Sequence, residues 1–133
     1  MTRERLQQYR TLTLECRQLA ELLTELEATM TAPKSQRLDG MPHSPSKGDN
    51  PLETIVVRHI ELQARYRAKL DELTAARLEV EQAAETLPSR ERQLIRWRYI
   101  EGLSWDKVCD RMNYGWAQVH RIHRLALAQL ESA

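Results

Sequence analysis

Gln118, His120, Arg121 and Arg124 crowd the start of a stretch in which Val119, Ile122, Ala126 and Leu130 recur at steps of 3, 4 and 4. Such steps place the apolar residues on one stripe of a helix. Ala117, Arg121, Arg124 and Ala128 then lie opposite, with Gln118 and His120 at the flanks. A guanidinium can fork onto the O6 and N7 of guanine and a carboxamide onto the N6 and N7 of adenine, so Arg121 and Gln118 suit base edges. His120 joins them as a third polar group that could read a base. Small residues such as Ala117 let a duplex approach closely, while Trp116 either packs on the preceding turn or touches sugar and thymine methyl groups. Arg111, Arg124 and Lys107 carry the charge to hold phosphates and fix register.

Other chemistry fits these residues less well. Cys109, His120 and His123 are metal-ligand types, but no CxxC or HExxH spacing accompanies them. The histidines are expected to be solvated or to flank the helix, with no metal and no cofactor. Neither an oxyanion hole nor a pocket is discernible for a Cys-His nucleophile, so no enzyme is expected. Trp97 and Trp105 are expected to pack rather than stack on bases, and Arg98 to pair with Glu101.

The elements that must position these groups are marked by glycine and proline. The chain has 133 residues, with only 4 glycines and 5 prolines. Most of them fall between Pro33 and Pro51, and Pro88, Gly102 and Gly115 divide the C-terminal third into short helices. Ser89 is expected to cap a helix reaching Ile100, and Ser104 a second through Met112 with Val108, Cys109 and Met112 on its apolar face. Asn113-Tyr114-Gly115 makes a turn before a last helix from Trp116 to about Glu131. A short helix, a tight turn and a helix with apolar inner and basic outer faces is how a recognition helix is presented to a major groove.

The segment before Pro88 has a different pattern. Tyr9, Leu12, Cys16, Leu19, Leu23, Leu26 and Met30 alternate steps of 3 and 4, the seam of a coiled-coil strand. Beyond the linker the same steps select Leu52, Val56, His59, Gln63, Tyr66, Leu70, Leu73, Arg77, Val80, Ala84 and Leu87. Residues 32–51 lack periodicity and are expected to be a flexible linker. The two long helices either fold back within one chain or pair between chains as a homodimer. The expected fold is all-α: a helical hairpin or coiled coil over 1–87, then a helix-turn-helix domain over 88–133.

Charge and composition agree with a local rather than a global contact. Lys and Arg number 20 against 19 Asp and Glu, and the net charge is +1. By segment the net is −1 over 1–31, +1 over 32–51, −2 over 52–87 and +3 over 88–133, so only the C-terminal segment is clearly basic. Aromatic residues make up 5% and Phe is absent, a composition of long solvent-washed helices rather than of an enzyme with a deep pocket. No apolar run approaches the roughly 18 residues of a membrane span. No signal peptide is expected either, which points to the cytoplasm. Cys16 and Cys109 fit a reducing compartment.

The run from Leu87 to Leu130, LPSRERQLIRWRYIEGLSWDKVCDRMNYGWAQVHRIHRLALAQL, resembles region 4 of sigma-70-type factors. Leu87-Pro88, Arg98-Tyr99, Glu101-Gly102-Leu103-Ser104, Val119, Ile122, Ala126-Leu127 and Leu130 carry that resemblance. The whole chain is similar to small phage and prophage proteins related to late-gene transcriptional activators. That likeness includes the run Pro33 to Pro42, the run Tyr99 to Trp105 and the stretch His123 to Leu127. It implies binding to double-stranded DNA and a contact with host RNA polymerase. Gly115, Trp116 and Ala117 depart from the polar cap and Arg-Glu that usually open the sigma recognition helix, which implies a different DNA target. Residues 1–87 hold no counterpart of the promoter-melting region, so autonomous sigma activity is not expected. Two other functions share these features: a DNA-packaging recognition subunit of small-terminase type, and an adaptor that binds polymerase without touching DNA.

Overall fold

The computed structural model describes residues 1–31 and 51–132, so the expected linker lies outside the described residues except for Pro51. Every described element is helical: α1 Arg3–Thr31, α2 Pro51–Ala84, α3 Ser89–Ile95, a π turn Arg96–Ile100, α4 Trp105–Met112 and α5 Trp116–Ser132. The Thr2 hydroxyl accepts the Arg5 N–H at 3.2 Å, which caps one of the free donors at the start of α1. Thr11, Thr13, Thr24, Thr29 and Thr31 return their hydroxyls to carbonyls four residues back, which is how five residues of modest helix propensity fit one helix.

The chain divides into two compact units. The first comprises Met1–Thr13 and Glu72–Ala133. Its core joins Leu6 and Tyr9 of α1, Ala76, Val80 and Ala84 of α2, and Leu94, Ile95, Tyr99, Val108, Val119, Ile122, Ala126 and Leu130 from the C-terminal helices. Arg5 meets Glu79 at 2.8 Å, and the Met1 ammonium donates to the Leu130 carbonyl at 3.3 Å. The start of α1 is therefore built into the same core as the helix-turn-helix.

The second unit is Leu14–Asp71, where Cys16, Leu19 and Leu23 are buried. Glu15 pairs with Lys69 at 2.9 Å and Glu27 meets His59 at 3.1 Å, so the partners run in opposite directions along the two helices. Within this unit the two helices of one chain lie antiparallel. Of the two cysteines, Cys16 is buried and Cys109 half-buried.

The seam expected on α2 is exposed at Leu52, alternates between exposed and inward positions from Val56 to Arg77, and turns inward throughout from Val80 to Leu87. His59, Tyr66, Leu73, Val80 and Ala84 turn inward, but Val56, Gln63, Leu70 and Arg77 are exposed. Their places are taken by the preceding residues Ile55, Leu62, Lys69 and Ala76. Leu62 and Ala76 are apolar where Gln63 and Arg77 are not, but Ile55 and Val56 are both apolar and Leu70 is more apolar than Lys69, so the pattern points to no single side. In the structure Ala76 is buried and Lys69 is half-buried with its ammonium on Glu15.

Two further details depart from expectation. Pro88, with φ −58° and ψ 158°, occupies the cap of α3, and Ser89 is its first helical residue with no side-chain cap bond. The helix also does not continue regularly to Ile100. It widens into a π turn that closes through the Glu101 N–H to the Arg96 carbonyl and the Leu103 N–H to the Trp97 carbonyl, both at 2.9 Å. Gly102 leaves this turn at φ +73°, where a side chain would be strained. Among the described residues no helix is long and apolar enough to cross a membrane.

Candidate nucleic-acid interface

Ser104, extended at φ −65° and ψ 159°, accepts the Lys107 N–H at 3.3 Å and starts α4. Asn113 ends it in the left-handed region at φ 58° and ψ 37°, a conformation asparagine tolerates better than most residues. The Tyr114 N–H then reaches back to the Cys109 carbonyl at 3.3 Å, and the Val119 N–H to the Gly115 carbonyl at 3.0 Å opens α5. The turn at Asn113-Tyr114-Gly115 is thus where the sequence places it.

On α5 the stripe Val119, Ile122, Ala126 and Leu130 is buried. Trp116, Ala117, Gln118, Arg121, Arg124 and Ala128 are exposed. Arg121 and Arg124 make no ion pair with a described residue, and neither does Lys107, exposed on α4. Arg111 is exposed too, but Glu101 holds it at 2.9 Å and its guanidinium lies 5.9 Å from the centre of the Trp97 ring. Glu101 is thereby the partner of Arg111 and not, as the sequence suggests, of Arg98. Arg98 instead donates to the Leu103 carbonyl at 3.0 Å and lies over Trp105 at 4.3 Å.

His120 is half-buried between two indoles, 3.8 Å from the Trp116 ring and 4.3 Å from the Trp105 ring. Burial first, then the charges of Arg124 and Arg98, hold its pKa below the ordinary histidine range. His123 is neither solvated nor at a flank: only 6% of it is exposed, and its Nε2 shares a 2.7 Å hydrogen bond with the Tyr99 hydroxyl. Burial lowers its pKa to about 4, with His120, Arg3 and Arg98 adding to the shift. Its place on the stripe, four residues after Val119 and three before Ala126, was the available signal. Burial likewise raises the Cys109 thiol, helped by Asp106 and Asp110, so this cysteine is not an activated nucleophile. No group of metal-ligating side chains is gathered among the described residues.

Trp105 packs against His120 and, edge-on at 4.7 Å, against His123, and Trp97 is half-buried against the core. Trp116 differs from both, with 62% of its surface exposed. The arrangement offers an indole, a methyl, a carboxamide and two unpaired guanidiniums on the outward side of one helix, backed by cations on the preceding one. That set can hydrogen-bond base edges and neutralise phosphates, and it supplies no reacting nucleophile.

No curated protein and no solved structure matches the chain. Residues 83–131, from the last turn of α2 to the last turn of α5, match the family model Sigma-70, region 4. This C-terminal segment is a sigma-region-4-like helix-turn-helix.

Proposed function

We propose that the chain is a cytoplasmic, sequence-specific transcriptional regulator of phage type, a late-gene activator that binds double-stranded DNA through residues 88–133 and contacts host RNA polymerase. The observation that carries this reading is the exposed face of α5, where Arg121 and Arg124 stand without carboxylate partners among the described residues in the second helix of a helix-turn-helix. Arg121 forks onto a guanine and Gln118 onto an adenine. Lys107, Arg111 and Arg124 hold phosphates, with Glu101 fixing the direction of Arg111. Ala117 admits the duplex. His120 serves this face by supporting the Trp116 ring that rests on it.

The test is selection from a pool of random duplexes by the full chain at two salt concentrations. An enriched motif with steep salt dependence is expected. Absence of both enrichment and salt-dependent retention would overturn the reading. A palindromic motif would support a homodimer, for which the N-terminal helices have their outward apolar residues to offer.

A further inference from the structure

The first turns of α1 bring cations to the helix-turn-helix that no motif announced. Leu6 and Tyr9 share a core with Tyr99 and Leu130, and the Met1 ammonium rests on the Leu130 carbonyl, so this end of α1 is packed on the π turn and α5. Arg3 and Arg10 are seven residues apart, two turns along one face. Both act electrostatically on Tyr99, Arg10 acts on Arg98, and Arg3 acts on His123. Apart from the Tyr99 hydroxyl, which acts on Arg98, the charged groups that shift Arg98, Tyr99 and His123 are the cations Arg3, Arg10, Arg98 and His120, and no carboxylate is among them.

The other arginine of this turn behaves differently. Arg5 is held by Glu79, whereas Arg3 and Arg10 make no ion pair with a described residue. Arg98 satisfies one N–H on the Leu103 carbonyl, but its Nε is buried with no acceptor. Cations gathered without a carboxylate repel one another, and an anion between them reverses the sign of that interaction.

We propose that Arg3, Arg10 and Arg98 form a phosphate clamp on the backbone of the duplex that α5 reads, so that the N-terminal helix belongs to the DNA-binding surface. The clamp rests on the DNA-binding reading above. What makes duplex DNA its occupant is continuity with the recognition helix: Arg98 lies over Trp105 at 4.3 Å, the tilted rings of Trp105 and His120 meet at 4.3 Å, and those of His120 and Trp116 at 3.8 Å. Three side-chain contacts thus lead from Arg98 to the exposed indole that opens α5. A duplex seated on Trp116 would carry its phosphates along that row. Guanidiniums pair bidentately with phosphate oxygens, the geometry this position calls for.

The test compares the full chain with Arg3→Gln, Arg10→Gln and Arg5→Gln. Affinity is measured over a salt series for the selected duplex and for a mixed-sequence duplex. Arg3→Gln and Arg10→Gln should each reduce the log–log salt slope by about 1, and should weaken both duplexes by the same factor while base preference is kept. Arg5→Gln, already neutralised by Glu79, should leave the slope unchanged. Melting temperatures of Arg3→Gln and Arg10→Gln at or above that of the parent would show that the loss is not unfolding. Unchanged slopes in Arg3→Gln and Arg10→Gln, or an equal loss in Arg5→Gln, would overturn the clamp while leaving the DNA-binding reading intact. Inorganic phosphate raising the melting temperature of the parent but not of Arg10→Gln, with both binding duplex alike, would overturn duplex DNA as the occupant. No duplex binding by the parent chain would instead overturn the DNA-binding reading itself.

Discussion

Arg121 stands on the exposed face of α5 and makes no ion pair with a described residue, so removing it breaks none among them. Arg121→Ala should therefore relax preference at one position of the selected motif, by about 1 to 3 kcal/mol, with melting unchanged. An unaltered selection profile would remove Arg121 from the readout set. The buried pair behind the helix answers to different physics. Tyr99→Phe leaves His123 Nε2 without its 2.7 Å partner and should cost about 1 to 3 kcal/mol in denaturant unfolding. A pH dependence follows from the same histidine. Its folded pKa is about 4, below the ordinary value of 6.5, so the unfolded chain binds the proton more tightly. Stability from this group is present in full above pH 6.5, falls as pH drops towards 4, and its loss approaches about 3 kcal/mol below that. The difference in stability between the parent and His123→Leu should narrow over that window. A constant difference would refute the assignment.

At the scale of elements, Gly102 and Leu94 separate two kinds of constraint. Gly102 has φ +73° and open space around the position of a Cβ, so Gly102→Ala should cost about 1 to 2 kcal/mol from backbone strain alone. Leu94 is fully buried between the helices, and Leu94→Ala should cost about 2 to 5 kcal/mol through lost burial and the cavity left behind. Thermal or denaturant melts check both, and Gly102→Ala should keep the salt slope of DNA binding unless the π turn shifts Arg98. The helices themselves were legible because Gly and Pro are so few that each marks a boundary. The turn at residues 113–115 and the buried stripe of α5 follow from local chemistry. The inward side of α2 did not, since Ile55 and Val56, or Lys69 and Leu70, offer neighbouring apolar surfaces and only the partner helix chooses between them. Nor could local pattern show the π turn, which depends on how Glu101 and Leu103 find carbonyls five and six residues back. The juxtaposition of Arg10 and Arg98 is more remote still, because it joins residues that only the tertiary fold brings together.

For the whole molecule, the unit that carries the helix-turn-helix also takes in Met1–Thr13 and the end of α2 from Glu72. Residues 88–133 expressed alone would expose the surface that Leu6, Tyr9, Ala76, Val80 and Ala84 cover. That fragment should melt well below the full chain, and a fragment as stable as the full chain would show that these residues contribute little. In the other unit the seam of α1 is filled by α2 of the same chain. A homodimer through these helices has the exposed residues Leu14, Leu22, Leu52, Val56, Val57 and Ile60 to use. Sedimentation of the parent and of Ile60→Glu checks this: a dimer built there should dissociate in the variant.

The three tryptophans, Trp97, Trp105 and Trp116, all lie in the unit that carries the helix-turn-helix, and the ring of His120 rests against two of them. A protonated imidazole quenches indole fluorescence, so the chain contains its own optical reporter. Emission should dim on acidification below the ordinary histidine range, His120→Gln should abolish most of that dimming, and the signal should be blind to events confined to Leu14–Asp71. A duplex covering Trp116 would change the same signal, so an unlabelled protein can be titrated with DNA by its intrinsic light.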